Sequence, residues 1–181
     1  TVSCAFAEPW GQAGRALALT WVSSVETTAV VEYRPEGGAS WQAAASFRTR
    51  AFPGLSGKYL HTAVLPSLAP AAVYELRWPG ASFTERVRTP PRRDIKAMAL
   101  SDFHATGAFA GVNATGFGAV CADEAPDLLL LVGDYVNDDG ITNSTNGGYW
   151  LSFLHMLATL YRSHDALVPQ VAIMGNHEGR D

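Results

Sequence analysis

The apolar residues of this chain follow two different rhythms. Up to about residue 90 they come in short β-rich runs, Leu17-Ala18-Leu19-Thr20-Trp21-Val22 and Ala29-Val30-Val31-Glu32-Tyr33-Arg34 among them. Further strands are expected over residues 41–50, 59–65, 73–78 and 83–88, with turns at Pro35-Glu36-Gly37-Gly38 and Pro53-Gly54. Many short strands broken by Gly/Pro turns predict an antiparallel β-sandwich. Within it, Leu68-Ala69-Pro70-Ala71-Ala72-Val73-Tyr74 predicts a tyrosine corner, the Tyr74 hydroxyl bonding back to upstream backbone. Trp21 and Tyr74 are the expected core markers.

Thr89-Pro90-Pro91-Arg92-Arg93-Asp94 ends this rhythm, because two prolines stop both helix and sheet pairing. Beyond it come three continuous apolar runs, Ile95-Lys96-Ala97-Met98-Ala99-Leu100, Leu128 to Val132, and Val171-Ala172-Ile173-Met174. Each reads as a strand buried on both faces of a parallel sheet. Trp150, Phe153, Leu154, Leu157, Leu160 and Tyr161 lie at helical spacing, so a helix is expected over residues 149–162. A shorter one is expected over 116–123. The alternation strand, helix, strand, helix, strand implies a βαβαβ layer. The predicted organisation is thus residues 1–90 as an all-β sandwich and 95–181 as an α/β layer.

Each apolar run of the second part ends in residues able to bind metal: Ser101-Asp102-Phe103-His104, Gly133-Asp134, and Gly175-Asn176-His177-Glu178. Ligands of open α/β sheets bind at the carboxyl ends of the strands, so these residues are expected at one edge. Asp102 and His104, two apart, would share a side if the strand pattern persisted. Asp134 has two carboxylate oxygens and so is able to bridge two cations. Asn176 offers a neutral carbonyl oxygen. Gly133 and Gly175 suit positive φ or close backbone approach where a strand turns over such a site. Paired cations sit roughly 3.5–4 Å apart and lower the pKa of bound water to about 7, from roughly 15.7.

The order Asp-x-His, Gly-Asp, Gly-Asn-His-Glu, with the approach Pro126-Asp127-Leu128-Leu129-Leu130-Leu131-Val132-Gly133-Asp134, resembles the calcineurin-like metallophosphoesterase superfamily. With a fibronectin type III-like sandwich in front, the chain is most similar to purple acid phosphatase-like proteins. The resemblance implies phosphomonoester or phosphodiester hydrolysis of a small-molecule phosphate ester. It also implies two divalent or trivalent metal ions, Fe, Mn or Zn. Asp102 and His104 would bind the first ion, Asp134 would bridge both, and Asn176 would bind the second. His177 would contact the phosphate or protonate the leaving oxygen, with Glu178 orienting its ring.

Two departures qualify the resemblance. Purple acid phosphatases carry a metal-binding tyrosine three residues after the bridging Asp, where this chain has Asn137, and they usually lack the first-motif histidine, present here as His104. A colourless relative with divalent metals is therefore expected. The family also supplies further histidines from a lone-His and a Gly-His-x-His motif. Neither occurs before Asp181, so a fragment lacking the C-terminal His ligands is expected. Among the other histidines, His61 is expected on an exposed strand position, and His155 and His164 at the helix and its exit. Tyr135 is expected to pack or to form the rim of the site.

Composition narrows the alternatives. A formal net charge of −4 offers no footprint for nucleic acid or an anionic membrane, and no apolar stretch reaches the length of a membrane span. The chain opens with Thr1, not methionine, and carries no charged-then-apolar signal segment, as expected of a mature or excised piece. Cys4 and Cys121 form no disulfide framework and read as plain thiols. Asn113-Ala114-Thr115 and Asn143-Ser144-Thr145 fit the N-glycosylation pattern and favour a secreted or extracytoplasmic location. The acidic neighbourhood of Asp123, Glu124, Asp127, Asp138 and Asp139 reads as a solvated rim, and residues 107–118, without a Gly-Lys-Ser/Thr ending, as a flexible active-site loop. Two alternatives remain: an alkaline phosphatase D-type phosphodiesterase, which lacks Gly-Asn-His-Glu, and a binding or adhesion module with a vestigial catalytic half.

Overall fold

The computed structural model describes residues 2–9, 11, 15–26, 30–105, 114–136, 144–160 and 162–175. In the first part, strands β1 (Val2–Pro9), β2 (Leu17–Ser23), β3 (Glu32–Pro35), β4 (Gln42–Ala43), β5 (Ala45–Ala51), β6 (Tyr59–Leu65), β7 (Val73–Arg77) and β8 (Thr84–Arg88) form two sheets. The second part runs β9 (Ala97–Leu100), α1 (Ala114–Glu124), β10 (Leu128–Val132), α2 (Ser144–Leu160), β11 (Arg162–Ser163), β12 (Ala166–Leu167) and β13 (Gln170–Ile173).

The first sheet is antiparallel, in the order β1-β2-β6-β5. It faces a second sheet across a core of Leu17, Leu19, Trp21, Ala63 and Leu65 on one side and Val31, Tyr33, Tyr74, Leu76 and Val87 on the other. The period-two alternation of β6 and β7 follows from this single buried face. The tyrosine corner is present: the Ala69 N–H donates to the Tyr74 hydroxyl at 2.8 Å. Strand β2 departs from alternation, all seven of its positions being buried. Its inward residues enter the sandwich core, while Val22 belongs to a second core with Phe153, Leu154, Met156 and Leu157 of α2. The first sheet is thus covered on both faces.

The second sheet runs β11-β12-β8-β7-β3-β4. Its last two strands in the chain come from beyond the Thr89–Asp94 linker. After α2 the chain turns back, β12 pairs in parallel with β8 through Leu167 and Val87, and Leu167 enters the sandwich core. Arg162 secures this return. Its guanidinium grips the Glu85 carboxylate with both Nη atoms, at 3.1 and 2.5 Å, and donates to the Ala158 carbonyl in the last turn of α2 at 2.9 Å. A bidentate Arg–carboxylate pair fixes direction as well as distance.

The third sheet is parallel, in the order β13-β10-β9, with α1 and α2 as its crossovers, giving the expected βαβαβ unit. Helix α2 starts at Ser144, five residues earlier than the spacing of large apolar residues indicates, and Gly147 explains its approach to the sandwich. A Cβ there would meet the Pro53 carbonyl oxygen and the Leu55 side chain at 2.9 and 3.0 Å, so only glycine lets α2 lie against the turn after β5.

One expectation fails here. Strands β9 and β10 are buried on one face only, and in β13 Val171, Ala172 and Ile173 are all exposed. Leu100, Leu129 and Leu131 enter the core with α2, whereas Val132, Val171 and Ile173 are 46%, 41% and 56% exposed. The strand order explains it: a right-handed crossover that always steps the same way puts every helix on one side. No helix among the described residues is long and apolar enough to cross a membrane.

His61 also corrects an expectation. It is fully buried, stacked on Trp21 at 5.2 Å and on Phe47 at 5.9 Å between ring centroids, while those two rings also meet each other at 5.8 Å. Ser23 Oγ donates to the Val25 carbonyl, so Nε2–H donates to Ser23 Oγ at 2.7 Å, and Nδ1 accepts from Thr49 Oγ1 at 2.9 Å. Inward orientation comes from the register that sets His61 opposite Trp21. Burial, opposed only in part by Glu26, holds its pKa below 6.5. The neutral ring is therefore the form that folds. The stability it lends is fully present above the unfolded pKa and is lost as pH falls through the folded one. The thermal midpoint should fall between pH 7 and pH 5 more steeply for the parent protein than for His61→Phe, and parallel slopes would assign the acid sensitivity elsewhere.

Candidate metal centre

The candidate metal ligands sit where β9 and β10 run out. Strand β9 ends at the buried Leu100, and the chain then alternates outward and inward: Asp102 exposed, Phe103 1% exposed, His104 between, Ala105 1% exposed. The alternation is not that of a continued strand. Asp102, His104 and Asp134 all take left-handed backbone, with φ of 56°, 43° and 54°. Non-glycine residues pay for this conformation in strain, and it concentrates at functional sites.

Backbone bonds hold the two loops in this shape. The amides of Asp102, His104 and Ala105 donate to the carbonyls of Gly133, Asp134 and Tyr135 at 3.3, 3.0 and 2.9 Å. A parallel bridge between Ala105 and Val136 extends the pairing past both strand ends. Beneath the loops, Phe103 and Tyr135 insert into an aromatic group with Trp150 and Phe153 of α2. Tyr135 stacks on Phe153 at 5.1 Å, and Phe103 meets Phe153 edge-on at 5.2 Å. Each outward ligand thus neighbours an inward aromatic anchor.

Asp102, His104 and Asp134 converge, one donor atom from each lying within 4.8 Å of the others. His104 Nε2 is 3.8 Å from Asp102 Oδ1. Two donors on one ion at about 2.0–2.2 Å lie at most roughly 4.4 Å apart, so this pair fits a common cation. Two carboxylates and an imidazole suit Mn, Fe or Zn. Ser101 Oγ donates to Asp102 Oδ2 at 2.6 Å, leaving Oδ1 as the oxygen turned towards His104. That hydrogen bond was not foreseen, and a lone serine in an Asp-x-His run carries no signal for it.

The glycines meet the expectation in different ways. Gly133 has φ of 81°, and a Cβ on it would fall on the Gly175 backbone at less than 3.0 Å. Gly175 is needed for closeness: its Cβ would collide with the Asp134 carboxylate and amide. The end of β13 therefore abuts Asp134. Asn176, His177 and Glu178 follow directly in sequence, but they lie outside the described residues, as does Asn137.

Other candidates resolve away from the centre. Glu124 pairs with Lys96 at 2.6 Å, which holds its carboxyl below the usual range. Asp127 accepts from the Lys96 amide at 3.1 Å and lies 3.7 Å from Arg88. His155 and His164 are exposed, on α2 and in the β11–β12 turn. Cys121, on the inner side of α1, is buried and its thiol is pushed up to about 11 by that burial. The loop expected over 107–118 is shorter than predicted, since 114–118 begin α1; residues 106–113, with Asn113, and 137–143, with Asp138, Asp139 and Asn143, are outside the described residues.

With the donors in place, comparison with known proteins is informative. Residues 95–181 match the calcineurin-like phosphoesterase family. The family supports metal-dependent hydrolysis of phosphoesters and divalent metal ions as its requirement, in accord with the donor set. No curated protein matches the chain.

Gly175→Ala should separate site geometry from folding, because the residue sits past the end of β13. Its Mn²⁺ affinity is expected to fall about 10- to 100-fold, the range for lost ligand support, while the unfolding midpoint stays near the parent's. Isothermal titration and thermal melts check the two halves, and unchanged Mn²⁺ affinity would count against the close packing of Gly175 on Asp134.

Proposed function

We propose that the chain is a purple acid phosphatase-like metallophosphoesterase that hydrolyses small-molecule phosphate monoesters or diesters. The observation that carries this reading is the convergence of Asp102, His104 and Asp134 at the ends of two adjacent parallel strands. In it, Asp102 and His104 would hold one ion, Asn176 the second, and Asp134 would serve both. The ions would supply an activated nucleophile and offset charge on the phosphoryl oxygens. His177, steadied by Glu178, would hold a proton at the leaving oxygen.

The sandwich over residues 1–90, set before a catalytic domain over 95–181, is proposed to be fibronectin type III-like. The Tyr74 corner and the two facing sheets, whose strands β1 to β8 all pair antiparallel, support that. The Asn113 and Asn143 acceptor tripeptides support a secreted or extracytoplasmic location. The triad favours a phosphoesterase over an adhesion module, because recognition through loops or strand edges needs no such donors.

Asp134→Ala is the direct test. A phosphoesterase of this kind should lose hydrolysis of p-nitrophenyl phosphate and bis-p-nitrophenyl phosphate, and its Mn²⁺ or Zn²⁺ affinity should fall at least about 100-fold. An adhesion module would bind metal no worse after the change. The relative rates of parent protein on the two substrates then distinguish monoesterase from diesterase.

Colour gives a second test. With Asn137 where a metal-binding tyrosine would stand, no phenolate is available three residues past Asp134 for charge transfer to ferric iron. Metal-loaded protein should be colourless, and a strong band in the purple region of its visible spectrum would refute the divalent assignment.

A further inference from the structure

Tyr135 directly follows the proposed bridging ligand, yet it points away from the triad and into the core, 4% exposed. Its ring is fixed on three sides: stacked on Phe153, edge-on to Trp150 at 5.9 Å, and tilted against Phe103 at 6.5 Å. Stacking alone would be served as well by phenylalanine. The hydroxyl is what differs. Its single proton is shared between the carbonyl of Leu131, at 2.9 Å, and that of Ile173, the nearer of the two.

Ile173 is the last residue of β13, and the ladder between β10 and β13 ends with it, opposite Val132. Beyond that register β13 has no further partner strand among the described residues, and its outward residues are exposed. Two residues later Gly175 must lie against Asp134 with no room for a Cβ. A buried hydroxyl bonded to the Ile173 carbonyl therefore ties the end of one strand to the loop of the other just before that contact. The bond is partly shielded from water, and such shielding strengthens a hydrogen bond relative to one at the surface.

We infer that Tyr135 is a positioning residue. Through the Ile173 carbonyl it sets the end of β13, and hence Gly175 and the start of the Asn176 motif, against Asp134. Its ring and hydroxyl lie on the core side of the loop, and it acts on where the third motif begins. The inference rests on the function proposed above for its consequence at the metals, but not for the tie itself.

Tyr135→Phe keeps the ring and removes only the hydroxyl, so two readouts separate the tie from its consequence. Without metal, amide hydrogen exchange over 170–175 should quicken at least about tenfold, while the α2 segment 150–158 stays at the parent rate, as expected of local rather than global opening. With Mn²⁺, the tighter binding step should stay within about twofold and the weaker one fall about 10- to 100-fold, the range for lost outer-shell support. The kcat for p-nitrophenyl phosphate should drop with the weaker step, and raised Mn²⁺ should restore part of it.

Unchanged exchange over 170–175 would overturn the inference, as would equal quickening in both segments, which marks general destabilisation. Local quickening with both Mn²⁺ steps intact would overturn the positioning role. A parent chain that binds no Mn²⁺ would overturn the proposed function and the metal half of this inference, whereas the exchange comparison still decides whether the tie exists.

Discussion

The contact between Gly133, Gly175 and Asp134 is the constraint on which the candidate centre depends. Two neighbouring parallel strands ordinarily keep their Cβ atoms clear of each other by the spacing of the ladder. Past the ends of β10 and β13 that spacing is given up: both backbones come together where neither residue has a side chain, and the Asp134 carboxylate fills the space a Cβ on Gly175 would take. The carboxylate is thereby placed by backbone, which is stiffer than a rotamer. The left-handed conformations at Asp102, His104 and Asp134 belong to the same design, since the hydrogen bonds between the two loops and the aromatic anchors below them hold residues in a shape they would not choose alone.

Helix α2 links this arrangement to the rest of the molecule. Phe153 supports Tyr135 and Phe103 in the core that also takes in Val22 of the first sheet. Removing polar residues from so much of one helix leaves only a narrow solvent strip, which includes His155 and Thr159. A helix apolar over most of its circumference is one that packs between layers, and α2 lies between two sheets. The loops that carry Asp102, His104 and Asp134 are thus supported by packing that reaches the sandwich as well as by the three-stranded parallel sheet.

Much of the fold was legible. Strands β6 and β10 coincide with the residues whose pattern announced them, and the Tyr74 corner follows from its local sequence. The parts that were not legible share a cause, which is that they depend on what lies across a gap rather than along the chain. Strand β1 was missed, and β11 and β12 are two residues each, too short for any period to register. His61 is polar by type, and only its register opposite Trp21 reveals that it faces inward. The apolar run of β10 promised burial on both faces, but a run of leucines records hydrophobicity and not which side a crossover helix covers. In the candidate centre the residue types and their order were readable because ligand chemistry is local. The means of their convergence, by left-handed turns rather than by strand continuation, was not.

The parallel pairing of β12 with β8 has a temporal side. Glu85 and Arg162, which fasten it, are separated by 77 residues. At a synthesis rate of about 5–20 residues per second, the free edge of β8 waits on the order of 4–15 s for its partner to be made. During that interval Val87 and the backbone beside it form an unprotected strand edge, open to whatever β-rich segment reaches it first. Until β12 arrives, the nascent sandwich is open to mispairing along the same border by which the finished protein joins its two halves.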